Sequence, residues 1–157
     1  MKLVQRNTLS AADKESILNI WNSVYPEKLV LNGMHDLDAY LDPLIDKNHF
    51  LLVNNLQQVL AWAASFTRDD ERWFVIILDS SIQKQGYGKQ LLNELKNSEQ
   101  ELCSWVTDHS RDTKPDGNYY MSPLDFYLKN GFTLLPDCRL ELEKISAVKI
   151  QWRKDAL

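Results

Sequence analysis

Hydrophobic and polar positions alternate with a period that changes along the chain, and the changes predict both strands and helices. Trp73–Leu78 is an uninterrupted apolar run, rich in aromatic and β-branched residues, which is typical of a strand covered on both faces. From Tyr87 onward the apolar residues Leu91, Leu92 and Leu95 recur at helical spacing. The segment between is polar and contains glycine, so a tight turn is predicted to connect a central strand to a helix.

The residues before the central strand predict a short strand, two helices and a hairpin. Lys2–Gln5 can form the strand. Ser10 can cap a helix that ends at Pro26. A second helical pattern covers residues 37–45, in which Pro43 predicts a kink or a break into two pieces. Apolar positions at helical spacing define both patterns: Ile17, Ile20, Trp21, Val24, Leu37, Tyr40, Leu41, Leu44 and Ile45.

The hairpin consists of two β-rich runs, His49–Val53 and Val59–Thr67, joined by an asparagine-containing turn. The polar segment Arg68–Arg72 then turns the chain into Trp73. These runs and the central strand therefore predict an antiparallel meander that ends beside the glycine-containing turn.

The residues after the helix that follows the central strand predict the remaining strands, a long loop and a short helix. Glu101–Thr107 alternates like a strand, and residues 108–120 form a long loop by their Pro, Gly, Asn and Asp content. Ser122 as N-cap and Pro123 at the first helical position predict a short helix to about Lys129. Three later segments complete the pattern: Phe132–Leu135 as a strand, Arg139–Leu142 as another strand or merely a lead-in, and residues 148–153 as a last strand exposed on one face.

Composition narrows the class of protein. With 157 residues and 44% hydrophobic residues, a single domain over residues 1–157 with one core is expected. A net charge of −4 argues against general nucleic-acid binding. No signal peptide or membrane-length apolar segment is evident, so the chain is expected to be cytoplasmic. Cys103 and Cys138 lack metal-ligand spacing, and both are expected to be buried, reduced thiols with no bound metal.

The turn after the central strand has residues that suit a phosphate-bearing ligand. Gln83, Gly86 and Gly88 stand in the spacing Q-x-x-G-x-G. Without Cβ atoms the glycines let an anion approach the backbone, and the first N–H groups of the next helix can bind it. Lys84 and Lys89 can add charge-assisted contacts. Alternatively, the glycines only shape a tight connection.

Two better-known phosphate loops fit this turn less well. A Walker loop requires G-x-x-x-x-G-K-[ST], but Lys89 is followed by Gln90. A Rossmann fingerprint requires a third glycine where Leu91 stands. Magnesium-dependent nucleotide chemistry therefore ranks last among the functions considered.

The segment Gln83–Gly88 resembles the [RQ]-x-x-G-x-[GA] motif of the GNAT superfamily of N-acetyltransferases, which also follows an apolar strand and precedes a helix. A second segment, Phe126–Phe132, is similar to that family's FYxKxGF block. The resemblance covers the chain from about Phe50 to its C-terminus. It implies an α/β (α+β) fold with a mixed, mostly antiparallel central sheet, flanked by helices and splayed between the fourth and fifth strands.

The resemblance also implies a function and a cofactor site. The function is acetyl transfer from acetyl-CoA to a primary amine of a small molecule or peptide. By analogy the pantetheine arm pairs with the free edge of the central strand, with the N–H of Leu78 nearest the thioester oxygen. The implied cofactor-binding residues are Ile76, Ile77, Leu78, Gln83, Lys84, Gln85, Gly86, Tyr87, Gly88, Lys89 and, as a weak pantetheine contact out of register with the family pattern, Asn118.

Tyr127 occupies the position of the family's usual general acid and is the predicted catalytic residue. A phenol can donate a proton toward a departing thiolate, although Tyr127 can also simply belong to an aromatic cluster with Phe126 and Phe132. The general base stays open among four residues that can also be ordinary solvated side chains: Glu71, Asp79, Asp108 and His109. Four residues of the first helical pair are either acceptor contacts or packing residues: Trp21, Tyr25, His35 and Tyr40.

A rival interpretation keeps the fold and the cofactor turn but removes the reaction. Because no base is obvious, the chain could be a catalytically weak or inactive acyl-CoA-binding sensor or interaction module. Two copies could also pair through the last strand to form a homodimer.

Overall fold

The computed structural model describes residues 1–155 and contains one seven-stranded sheet with helices on both faces. The strands are β1 (Lys2–Arg6), β2 (Ile45–Val53), β3 (Val59–Arg68), β4 (Glu71–Leu78), β5 (Glu101–Thr107), β6 (Thr133–Leu142) and β7 (Ile145–Arg153). The helices are α1 (Ala11–Val24), α2 (Met34–Leu41), α3 (Tyr87–Ser98) and α4 (Leu124–Lys129). Short 3₁₀ turns follow α1 at Glu27–Leu29 and β4 at Ser80–Ile82.

The sheet has the strand order β1-β2-β3-β4-β5-β7-β6, and all neighbouring strands are antiparallel except β4 and β5. The parallel β4 and β5 are paired at one position only, Trp73 with Cys103. Beyond that pair the two strands diverge: the Ser104 hydroxyl still donates to the Phe74 carbonyl at 3.2 Å, but the later residues of β4 pair only with β3. The mixed, mostly antiparallel sheet and its splay between the fourth and fifth strands confirm the predicted fold class.

Strand β4 is apolar from Trp73 to Leu78 because this part contributes to two hydrophobic cores. Its side chains alternate between the faces of the sheet. Trp73, Val75 and Ile77 join the core beneath α1 and α2, whereas Phe74 and Ile76 join the core beneath α3 and α4. Leu91, Leu92 and Leu95 of α3 are fully buried in that second core. The two cores fix α3, and with it the glycine-containing turn, at the carboxyl end of β4.

A buried charge network connects the elements at the start of β4, where β4 and β5 are still paired. The guanidinium of Arg72, on β4, donates to both carboxylate oxygens of Glu99 at 2.6 and 2.9 Å. The hydroxyl of Ser65, on β3, donates to the same carboxylate at 2.8 Å. Glu99 lies between α3 and β5, so this network ties three consecutive parts of the fold close to the Trp73–Cys103 pair.

The N-terminal helix begins as predicted, but the second helical pattern extends too far. The side chains of Ser10 and Asp13 form a reciprocal capping box, with hydrogen bonds of 3.0 and 3.1 Å. Helix α2 ends at Leu41, just before Pro43, and Ile45 already belongs to β2. The prediction of helix through Ile45 was therefore wrong, because the chain turns at Asp42 and Pro43, and Ile45 then begins the following strand.

Near the C-terminus, the start of the last helix, the division of the strands and the place of the last strand also differ from the sequence prediction. Helix α4 begins one residue later than expected, although the Ser122 hydroxyl still accepts a hydrogen bond from the Leu124 N–H at 3.2 Å. Phe132–Leu135 and Arg139–Leu142 are not separate strands, since Thr133–Leu142 is one strand with a bulge between Leu135 and Arg139. The last strand, β7, lies inside the sheet between β5 and β6, so it has no free edge for a second copy.

The two cysteines differ in burial. Cys103 is buried as predicted, but the prediction that Cys138 is buried was wrong, because Cys138 lies in the exposed bulge of the edge strand β6.

No helix in residues 1–155 combines the length and the apolar character needed to span a membrane.

Candidate active site

The divergence of β4 from β5 leaves main-chain groups unpaired along the second half of β4. The N–H of Asp79 donates to the Leu60 carbonyl, on the β3 side, at 2.8 Å. Because N–H groups of successive residues in a strand point to opposite sides, those of Ile76 and Leu78 face the splay. The side-chain amide of Gln83 reaches this side and donates to the Leu78 carbonyl at 3.0 Å. The open edge therefore continues directly into the turn.

The glycine-containing turn offers a row of unpaired N–H groups. Within the described residues, the amides of residues 84–89 donate to no other atom of the chain. Gly86 has φ of +91° and precedes α3 as its N-cap, and a Cβ there would meet no atom within 4 Å. A Cβ at Gly88 would lie 3.6 Å from the Phe126 ring. The turn is thus open at Gly86, and the ring next to Gly88 belongs to α4.

A cleft of about 590 Å³ joins this turn, the open edge of β4 and the C-terminal end of α1. At the turn its lining consists of Gln83, Lys84, Gly86, Gly88 and Lys89. The middle is lined by Ile76, Ile77, Leu78, Pro123, Phe126 and Tyr127. The far end is lined by Val24, Tyr25, Lys114, Tyr119, Tyr120 and Met121.

Tyr127 lies in the middle of the cleft, surrounded by rings. Its ring contacts Phe74, Phe126 and Phe132 edge-on, with centroid separations of 5.1–5.5 Å. Its hydroxyl has no hydrogen-bond partner among the described residues, yet it is not sealed from the cleft. Burial raises the pKa of Tyr127 well above its usual value, and Tyr120 adds to that shift. Tyr127 is therefore both a member of the aromatic cluster and a phenol available to a ligand.

Two further phenols meet the far end of the cleft. Tyr25, the residue after α1, and Tyr120, in the loop before α4, have ring centroids 6.2 Å apart. Burial raises the pKa of Tyr25, and it raises that of Tyr120 to about 12. All three tyrosines consequently keep their protons near neutral pH and can act as hydrogen-bond donors.

The four candidate bases lie elsewhere. Glu71, the first residue of β4, pairs with Lys149 at 2.8 Å, roughly 23 Å along the strand from Leu78. Asp108 accepts two hydrogen bonds from Arg139, which hold its pKa below the usual value. No carboxylate or imidazole is among the described residues that line the cleft.

Asp79 and His109, the other two candidate bases, interact with residues that are near them in the sequence. Asp79 accepts from the N–H of Ser81 at 3.0 Å and from its hydroxyl, so its carboxylate caps the 3₁₀ turn. The Nδ1 atom of His109 accepts from the Arg111 N–H at 3.2 Å, and its Nε2 lies 3.9 Å from Asp112. Neither side chain lines the cleft.

Several predicted contact residues lie outside the cleft lining. The amide of Gln85 donates to the Ser81 carbonyl at 3.1 Å, and Tyr87 packs against the core beneath α3. Asn118 binds Asp116 at 3.1 Å in the exposed part of the loop. These side chains stabilise the turn and the loop, whereas any ligand contact from Gln85 or Tyr87 would come from the main chain.

Only one of the four aromatic residues near α1 and α2 reaches the cleft, namely Tyr25. Trp21 is buried and its ring N–H donates to the Leu29 carbonyl at 2.9 Å. Tyr40 packs edge-on against Trp21, with centroids 5.1 Å apart, and His35 is exposed. Packing therefore accounts for Trp21 and Tyr40.

Four residues that line the cleft were not predicted from the sequence as cleft residues: Lys114, Tyr119, Tyr120 and Met121. They belong to the long loop before α4, whose composition indicates only that it is a loop. The length of that loop was the one available signal.

Comparison with protein families decides the relationship. A model of the acetyltransferase (GNAT) domain matches residues 46–134, which is more than half of the chain. The chain belongs to the GNAT acetyltransferase family. Both predicted motifs bear on this assignment, since the match includes all of Gln83–Gly88 and all of Phe126–Phe132. A comparison with curated proteins finds no match by sequence.

Solved structures show the same GNAT fold at low sequence identity. An aminoglycoside 6'-N-acetyltransferase complexed with coenzyme A superposes with a TM-score of 0.69 at 13% identity, covering 98% of this chain and 97% of that one. A phosphinothricin acetyltransferase from Sinorhizobium meliloti, in complex with AcCoA, gives 0.68 at 14%, covering 98% and 89%. The ribosomal-protein-S18-alanine N-acetyltransferase from Escherichia coli gives 0.64 at 16%, covering 97% and 94%. These proteins have different acceptors, so the shared fold does not identify the acceptor of this chain.

Proposed function

We propose that the protein is an acetyl-CoA-dependent N-acetyltransferase that acts on a primary amine of a small molecule or peptide. One observation carries the proposal: the unpaired amides of residues 84–89 adjoin the unpaired edge of β4 within a single cleft. A diphosphate suits the amides and the two lysines, and an amide-containing arm suits the strand edge.

The residues present fit coenzyme A at each of these positions. The free N–H groups at the start of α3 and the side chains of Lys84 and Lys89 would hold the diphosphate. The main-chain groups of Ile76 and Leu78 would pair with the pantetheine arm, and the N–H of Leu78 would polarise the carbonyl. The Gln83 side chain already donates to the Leu78 carbonyl, so the N–H is the free main-chain group of Leu78 at this edge. Acetyl-CoA, when bound, supplies the activated acetyl group.

The transfer forms an N–C bond and breaks a C–S bond. An ammonium acceptor must release one proton to become nucleophilic and a second after attack, while the departing sulfur takes up one. We assign Tyr127 as the donor toward that sulfur. The raised pKa of Tyr127 opposes complete proton transfer, but the same apolar surroundings would also raise the pKa of a departing thiol, so the two shifts partly cancel.

No group of the cleft is assigned as the general base. Its described lining contains neither a carboxylate nor an imidazole, and its tyrosines are protonated near neutral pH. We therefore propose that the acceptor loses its first proton to solvent, before or during entry.

The rival function is a catalytically weak or inactive acyl-CoA sensor, which the lack of a base in the cleft favours. Calorimetry with acetyl-CoA followed by a free-thiol assay over a panel of amines separates the two. Both functions predict binding, but only the transferase predicts thiol release that depends on the acceptor. Binding without such release would overturn the transferase, and failure to bind would overturn both.

A further inference from the structure

The far end of the cleft combines aromatic rings with one cation, Lys114. The loop carrying it folds back on itself, because the Lys114 N–H donates to the Asn118 carbonyl at 2.8 Å and Thr113 pairs with Tyr119. The N–H of Glu27 donates to the Thr113 carbonyl at 2.8 Å, which ties the loop to the segment after α1. Lys114 is therefore positioned by main-chain bonds beside the end of α1.

The charge of Lys114 is poorly compensated within the protein. Its nearest carboxylate partner among the described residues is Asp116, with Nζ and Oδ2 3.8 Å apart, near the limit of an ion pair. That carboxylate is more than half exposed and also accepts hydrogen bonds from the backbone and side chain of Asn118. Asp116 does not line the cleft, whereas the side chain of Lys114 is only 22% exposed and does.

Lys114 lies with the acceptor end of the cleft rather than with the cofactor turn. It shares a loop with Tyr120, whose ring is near Tyr25 after α1, while Lys84 and Lys89 flank the turn at the other end. An acceptor that carries only positive charge would be repelled there, since no described carboxylate of the lining offsets the lysine. An acceptor that also carries an anionic group would be attracted.

We propose that Lys114 is a specificity residue, and that the acceptor is a small amine of the amino-acid type, bearing a carboxylate that pairs with the Lys114 ammonium. This inference rests on the proposed transferase function and names its acceptor class.

The test uses matched acceptors in the free-thiol assay: amino acids and the corresponding amino-acid amides, with the full chain and with Lys114→Met. Because amidation also changes the pKa of the amine, the deciding quantity is the ratio of variant to wild-type kcat/KM for each acceptor. For the acids, Lys114→Met should lower kcat/KM about tenfold, mainly through KM, since one charge-assisted contact is lost. For the amides, the ratio should stay close to one. Asp116→Asn, which removes the competing carboxylate, should raise kcat/KM for the acids.

Lys2→Met is the matched control, because Lys2 is exposed on β1 at the far edge of the sheet. Lys2→Met should leave the ratio of variant to wild-type kcat/KM close to one for the acids and for the amides. Calorimetry should show unaltered acetyl-CoA affinity for Lys114→Met and for Lys2→Met. Equal effects of Lys114→Met on acids and amides, or a weaker affinity of Lys114→Met for acetyl-CoA, would overturn the inference while leaving the transferase standing. If no acceptor of any kind supports thiol release, both the inference about Lys114 and the proposed transferase function are overturned.

Discussion

Gly86 and Gly117 allow backbone strain to be separated from ligand binding at the scale of a single residue. Their φ angles are +91° and +89°, and a Cβ at either position would meet no atom within 4 Å. Alanine should therefore cost a similar amount at both, about 1 kcal/mol of unfolding free energy, because L-residues disfavour this conformation. Only Gly86→Ala should weaken acetyl-CoA binding, about fivefold or more, because its methyl group and any local relaxation disturb the unpaired amides.

Chemical denaturation would measure the stability of both glycine variants, and calorimetry their affinity for acetyl-CoA. Equal affinities would mean that the turn serves only as a connection between strand and helix.

Tyr127→Phe should lower turnover about tenfold or more, because it removes the donor toward the departing sulfur. Acetyl-CoA affinity should stay near normal and so should stability, since the hydroxyl has no hydrogen-bond partner in the described chain. Steady-state thiol release and a thermal melt measure these effects. Tyr119→Phe is the control, because Tyr119 is 63% exposed at the rim of the cleft. Unchanged turnover in Tyr127→Phe would exclude the tyrosine from the mechanism.

At this scale, the sequence identified residues that lie within short motifs and missed those brought together by the loop. Gly86, Gly88 and Tyr127 carry their own local signals, and all three line the cleft. Lys114 and Tyr120 line the cleft because one main-chain hydrogen bond from Glu27 holds the loop and further main-chain bonds fold the loop on itself, and no local pattern encodes those bonds.

At the scale of elements, the network of Ser65, Arg72 and Glu99 should be important for the base of the splay. Glu99→Ala leaves the Arg72 guanidinium without its partner and should cost about 3 kcal/mol of unfolding free energy, since both groups are largely buried. Glu101→Ala is the control, because Glu101 pairs with Arg153 at 3.8 Å on the surface and should cost less than about 0.5 kcal/mol. Denaturant titration measures both, and similar losses would show that the network contributes little.

Elements with a strong pattern were predicted well, whereas those shaped by distant partners were not. The apolar run of β4 and the helical face of α3 are read directly from the chain. Strand β6 was divided in two because Pro136 and Asp137 interrupt its alternation. These residues lie in the bulge, and the strand continues past it because β7 offers pairing partners on both sides.

At the scale of the whole molecule, the position of β7 could not be inferred from its own alternation. Its inner place depends on β5, more than forty residues earlier, and on β6, and this long-range pairing is what lets the sheet continue beyond the splay.

The pH dependence of kcat/KM should be set by the pKa of the acceptor amine and not by a group of the enzyme. The described lining of the cleft contains neither a carboxylate nor an imidazole, and burial raises the pKa of Tyr25, Tyr120 and Tyr127. Since only the neutral amine attacks, kcat/KM should rise about tenfold per pH unit below the pKa of the acceptor amine and level off above it. The inflection should move when acceptors of different amine pKa are compared. An inflection at the same pH for every acceptor would instead indicate a base supplied by the enzyme.

The bulge in β6 has a consequence for the behaviour of the protein in concentrated solution. Strand β6 is the outermost strand on its side, and Pro136 within the bulge lacks the N–H that an incoming strand would need. The opposite border, β1, is only five residues long and carries Lys2 and Arg6. Neither border offers a long, regular template, so molecules crowded together should resist growing into cross-β ribbons even though the sheet itself is seven strands wide.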